Sequence, residues 1–122
     1  MSGNERNGRR MNINEYQREA LRTINPDLTP SQQLEDGLMG LAAESGEALN
    51  VLKKHLFQGH TMDSTHIASE LGDVFWYLAV AAWALGYNLD AIAEMNIRKL
   101  RSRYPGEGFD VDRSVNRSEG DI

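Results

Sequence analysis

The 122 residues include no cysteine, which excludes a disulfide framework, a thiolate metal site and a cysteine nucleophile. Proline is scarce as well, at residues 26, 30 and 105 only, none of them in the interior of a periodic stretch. Positive charge is in deficit, 13 Lys and Arg against 18 Asp and Glu, a net charge of −5. Nucleic acid and anionic membrane are therefore poor partners, because phosphate contacts need clustered Lys and Arg. The longest uncharged apolar run, Val74 to Leu85, is twelve residues, whereas a membrane span needs about 20. Residues 1–11 are polar, rich in Gly, Asn and Arg, and have no apolar signal-peptide region, so they read as a disordered extension and the expected location is cytoplasmic. A chain of this length forms one core, which self-association would extend.

What the sequence does have is helical periodicity from residue 12 to residue 104. Asn12 predicts a first cap, with Glu15 completing a capping box ahead of Ile13, Tyr16, Ala20, Leu21 and Ile24. Asn25-Pro26-Asp27 stops that helix. Thr29-Pro30-Ser31-Gln32 predicts a second start, and Leu34, Leu38, Leu41, Ala48 or Leu49, Leu52 and Leu56 predict its core stripe. A third helix from Asp63 or Ser64 carries Ile67, Leu71, Val74, Leu78, Ala81 and Leu85, and from Val74 it is apolar all round. Such a helix needs cover on every side, which points to a dimer interface. Gly86 ends it, and Asn88 predicts the cap of a fourth helix with Leu89, Ile92, Met95 and Leu100 inward. The expected architecture is all-α, a four-helix bundle over 12–104, with 105–122 as a C-terminal arm or tail.

The acidic excess is not evenly placed. Glu44 and Glu47 are three apart on the second helix, and Glu70 and Asp73 are three apart on the third. Residues three apart share a helix face. If the two helices run antiparallel about a loop near residues 59–61, a rise of about 1.5 Å per residue brings the two pairs to similar heights. Gly46 and Gly72 lie inside these helices, where each costs about 1 kcal/mol relative to Ala, and close backbone or ligand approach would explain that cost. Four converging carboxylates repel one another, and a bound cation relieves the repulsion. Oxygen donors without Cys or a Glu-x-x-His pairing favour a hard ion, Mg²⁺ or Mn²⁺, completed by water and substrate phosphate. The alternative is that each pair is a solvated helix face. The three histidines, His55, His60 and His66, read as structural or solvent-facing.

These words together resemble the MazG-like all-α nucleoside triphosphate pyrophosphohydrolases. The resemblance rests on Glu44-Ser45-Gly46-Glu47, 22 intervening residues, and Glu70-Leu71-Gly72-Asp73, with Asn96-Ile97-Arg98-Lys99-Leu100 and Arg103-Tyr104-Pro105 beyond them. Ala43 stands where many relatives carry a further Glu. The resemblance implies a MazG-like bundle assembled as a dimer or dimer of dimers. It implies Mg²⁺-dependent hydrolysis of a nucleoside or deoxynucleoside triphosphate to monophosphate and pyrophosphate, a metal-activated water attacking the α-phosphorus. Glu44, Glu47, Glu70 and Asp73 would hold the metal, with Glu47 also the expected base.

Beside that resemblance, Asn96, Lys99 and Arg103 recur at steps of three and four on the fourth helix, and Lys54 follows Glu47 by seven, so these four are the expected phosphate contacts. Tyr16, Gln17, Trp76 and Tyr77 are the candidates for the base. Two rival classes stay open at this point: a non-catalytic acidic helical module for dimerisation or partner binding, and a phosphohydrolase that releases orthophosphate.

Overall fold

Four helices begin where a side chain takes over an amide that lacks an intrahelical partner. In the computed structural model, which describes residues 10–106 and 108–116, α1 (Ile13–Leu21) follows Asn12, whose Oδ1 accepts from the Glu15 amide at 2.8 Å. The Glu15 carboxylate accepts in turn from the Asn12 side-chain amide. α2 (Pro30–Phe57) opens on a complete capping box between Thr29 and Gln32. α3 (Ser64–Ala84) opens on Asp63, which accepts from the His66 amide. After α4 (Leu89–Arg103), α5 (Val111–Val115) is capped by Asp110. Gly59 and Gly86 take positive φ, 75° and 84°, at the turns after α2 and α3, where a Cβ would be strained. Among the described residues every regular element is a helix, so the chain is all-α as expected.

The chain divides into two units, Met1–Leu89 and Asp90–Ile122. The first holds α1, α2 and α3 and ends on the first residue of α4. Its core is built largely from small side chains: Ala20, Ala79, Val80, Ala81 and Ala82 are buried together with Leu89. α2 and α3 form an antiparallel hairpin, and two glycines set its closest approach. A Cβ on Gly37 would lie 2.9 Å from that of Ala81, and one on Gly40 would overlap the Tyr77 ring. α1 packs on α3.

The face that α2 turns to α3 differs from the leucine stripe read in the sequence. Leu34, Leu41, Ala48 and Leu52 are half-buried, but Leu38, Leu49 and Leu56 are exposed. The contact runs instead through Gly37 and Gly40, because two helices approach closely only where side chains are small. On α3, Leu71, Trp83 and Leu85 are also exposed, so the chain alone does not cover that helix on every side.

In the second unit, α4 leaves Met95 and Leu100 exposed, and α5 falls within the segment expected to be an arm or tail. Tyr104 and Phe109 meet with ring centroids 5.4 Å apart. The expected extension over 1–11 lies outside the described residues up to residue 9, as do residues 117–122 of the expected tail. Among the described residues no helix is long and apolar enough to cross a membrane.

Candidate active site

The tight crossing at Gly37 and Gly40 fixes the register of the hairpin, and one turn further on Glu44 of α2 meets Glu70 and Asp73 of α3. One carboxylate oxygen from each of the three lies within 4.8 Å of the others. Glu44 and Glu70 are half-buried and Asp73 is exposed. A hydrogen bond with the Glu70 carboxylate raises the Glu44 pKa, with desolvation and then the charges of Glu70, Asp73 and Glu47 adding to the shift. Two carboxyl groups that share a hydrogen bond must share a proton, and a divalent cation is the other species that can sit between them.

Glu47 is exposed and its oxygens are not among the three that converge, although its charge is felt at Glu44. His66, one turn before Glu70, places Nε2 3.2 Å from Glu70 Oε1. Glu70 keeps 17% side-chain exposure and His66 52%. The i,i+4 spacing of His66 and Glu70 was the signal for this contact.

Aromatic side chains gather on the α1 side of the acids. Tyr16 stacks on Phe75 at a centroid distance of 4.5 Å, and its phenol pKa is raised by burial and then by the charge of Asp73. Phe75 was not anticipated, because its partner lies far off in sequence. Trp76 meets Tyr77 edge-on, and its indole N–H donates to Thr23 Oγ1 at 2.8 Å and to the Ala20 carbonyl at 3.3 Å. Trp76 thus ties α3 to the end of α1. Gln17 departs from its expected role at the base. It is 2% exposed, donates to the Ala79 and Tyr87 carbonyls and accepts from the Leu89 amide. All its hydrogen-bonding strength is turned inward, joining α1 to the turn between α3 and α4.

Beyond His66, where α2 turns into α3, a cleft of about 590 Å³ opens between the two helices, and Lys54 lines it. Gly46 and Gly72, for which close backbone or ligand approach was expected, have open space where a Cβ would stand, so no backbone of this chain approaches them closely among the described residues.

Residues 32–107 match the family model of the MazG nucleotide pyrophosphohydrolase domain. The chain belongs to that family. It is also 36% identical over 87 residues to the Gene 37 protein of Mycobacterium phage L5, which covers 68% of this chain and 70% of that one. No solved structure matches it. The MazG domain takes in both motif helices, so Glu44, Glu70 and Asp73 all fall inside it, whereas Tyr16 and Gln17 precede it. Asn96, Lys99 and Arg103 lie on α4 of the second unit at spacings that share one face; Asn96 is exposed, and Lys99 and Arg103 are half-buried.

Proposed function

We propose that this MazG-family chain hydrolyses a nucleoside or deoxynucleoside triphosphate to the monophosphate and pyrophosphate, with Mg²⁺ as cofactor and Mn²⁺ as a substitute. The observation that carries the reading is the convergence of Glu44, Glu70 and Asp73 from two helices within 4.8 Å. The donor set fits a hard cation, since it offers carboxylate oxygens only and brings Glu44 and Glu70 close enough that their interaction raises the Glu44 pKa. Glu44, Glu70 and Asp73 would hold the ion, which when bound neutralises phosphate charge and lowers the pKa of a coordinated water.

The remaining steps fall to the chain's own residues. Glu47 stands one helical turn from Glu44 and outside the converging oxygens, a position suited to a base that takes the proton of the attacking water. The new bond forms at the α-phosphorus, the bond to the bridging oxygen breaks, and pyrophosphate leaves with that oxygen. Tyr16, Tyr77 and Trp76 supply ring surface for the base. Lys54 is a proposed phosphate ligand of the hairpin; Asn96, Lys99 and Arg103, on α4, offer phosphate an amide, an ammonium and a guanidinium at spacings that share one helix face. The exposed apolar side chains of α2 and α3, among them Leu49, Phe57, Leu71 and Trp83, support a homodimer or homotetramer.

The test is a panel of standard and modified nucleoside triphosphates incubated with the full chain and Mg²⁺, scored by product. Monophosphate with pyrophosphate supports the reading. Diphosphate with orthophosphate sinks it, and no product from any substrate favours a non-catalytic acidic module.

A further inference from the structure

The cleft at the turn of the α2–α3 hairpin is built unlike the acid cluster beside it. Lys54, Gln58, His60, Thr61 and His66 line its 590 Å³; His66 turns Nε2 to Glu70, so the hydrogen-bond donors left for the cleft come from the other four side chains. An imidazole presents at least one N–H in either tautomer, and the lysine adds a full positive charge. The acidic group on its wall is Asp63, whose carboxylate already accepts the His66 amide at 2.9 Å to cap α3. Lys54 makes no ion pair among the described residues. A polar cleft with a lysine, the Gln58 amide, the Thr61 hydroxyl and the His60 imidazole, whose one carboxylate is engaged in capping, suits an anion.

The cleft and the acids meet at one side chain. His66 lines it and at the same time holds Glu70 Oε1 at 3.2 Å. His66 and Glu70 are four residues apart, about 6 Å along the helix axis, a step comparable with the length of an extended triphosphate. In the opposite direction the hairpin is closed, because Gly37 and Gly40 bring α2 against Ala81 and Tyr77. Polyanion and rings thus have separate ends of the hairpin: donors toward the turn, and Tyr16, Phe75, Trp76 and Tyr77 toward α1.

We propose that this cleft receives the two distal phosphates of the substrate, so that the triphosphate lies along the hairpin with its nucleoside toward α1. The assignment rests on the pyrophosphohydrolase reading for the identity of the ligand, while its geometry stands on the cleft alone.

Inorganic pyrophosphate with Mg²⁺ is the probe, titrated calorimetrically into the full chain. The wild type binds it, and Lys54→Met and His60→Asn each weaken binding by about tenfold, the loss expected for one charge-assisted hydrogen bond. Nucleoside monophosphate, which lacks the distal phosphates, binds both variants as it binds wild type, and KM for the triphosphate rises in step with the pyrophosphate constant. Both side chains are exposed and the bonds that form the turn use backbone atoms of residues 54, 58 and 60, so both variants fold. Failure of the wild type to bind pyrophosphate overturns the proposal. So does unchanged pyrophosphate affinity in both variants, or an equal loss for monophosphate. Pyrophosphate binding that depends on Lys54, with no turnover of any triphosphate, leaves the cleft assigned and sinks the catalytic reading alone.

Discussion

Two pairs of glycines lie on the α2–α3 hairpin in opposite surroundings. Gly37 and Gly40 are pressed against Ala81 and Tyr77, so that a single added methyl has no room. Gly46 and Gly72 sit among the acids with open space where a side chain would be. The first pair is where the hairpin is made: it lets the helices touch, and touching sets the register that brings Glu44 to Glu70 and Asp73. The second pair contributes nothing to that contact, yet each glycine weakens its helix by about 1 kcal/mol relative to alanine. One end of the hairpin is therefore specified by packing. The other is left loose where a cation, a polyanion or a second copy of the chain would arrive.

Separating chemistry from packing gives the largest expected effect. Asp73→Asn removes charge from the acid cluster without touching the crossing, so turnover of the best triphosphate should fall at least a hundredfold. The melting temperature without metal should hold or rise, because like charges have been thinned. A measured loss of helicity instead would show that Asp73 belongs to the packed end after all.

Gly37→Ala breaks the comparison from the other side. Its Cβ meets both the side chain and the backbone nitrogen of Ala81 at 2.9 Å, so a helix must move, at a cost of roughly 1–3 kcal/mol. Chemical denaturation should show that loss, and Mg²⁺ affinity should fall with it as Glu44 leaves register. Gly46→Ala and Gly72→Ala should act oppositely, each raising stability by up to about 1 kcal/mol. If Gly46→Ala instead lowers stability in a concentration-dependent way, the open space at that position belongs to a neighbouring chain, and the exposed face with Leu49 and Phe57 is its seat.

These contrasts also explain what was legible in the sequence. The caps at Asn12 and Thr29 were readable because a cap is a local event within four residues, and the start of α3 was placed to within one residue of its cap, Asp63. The acids were readable because Glu-x-x-Glu and Glu-x-x-Asp carry their geometry in their spacing. The face of α2 was not, since hydrophobic periodicity follows the large residues Leu38, Leu49 and Leu56, whereas helix contact followed the small ones. Gln17 was misread for a related reason: a buried glutamine and a surface glutamine look alike until the partners, some 60 to 70 residues away, are known. α5, five residues long, is too short to show a period.

The smallest expected effect concerns the proton that the acid cluster holds without metal. Folding raises the Glu44 pKa above its usual 4.5, first through the hydrogen bond with Glu70. Between 4.5 and the raised value the folded chain binds more protons than the unfolded one, so ΔG of unfolding falls as pH rises through that window. Below it Glu44 is protonated in both states and the contribution to stability is fully present. Bound Mg²⁺ needs the carboxylates ionised, so its stabilisation by mass action grows with pH and opposes that slope. Melting curves from about pH 4 to pH 7 in chelator should therefore decline more steeply for wild type than for Glu44→Gln, and added Mg²⁺ should reverse the trend for wild type only. Parallel curves for the two proteins would mean that the open end of the hairpin holds its acids apart, and that convergence in the folded chain does not tax the charge of Glu44.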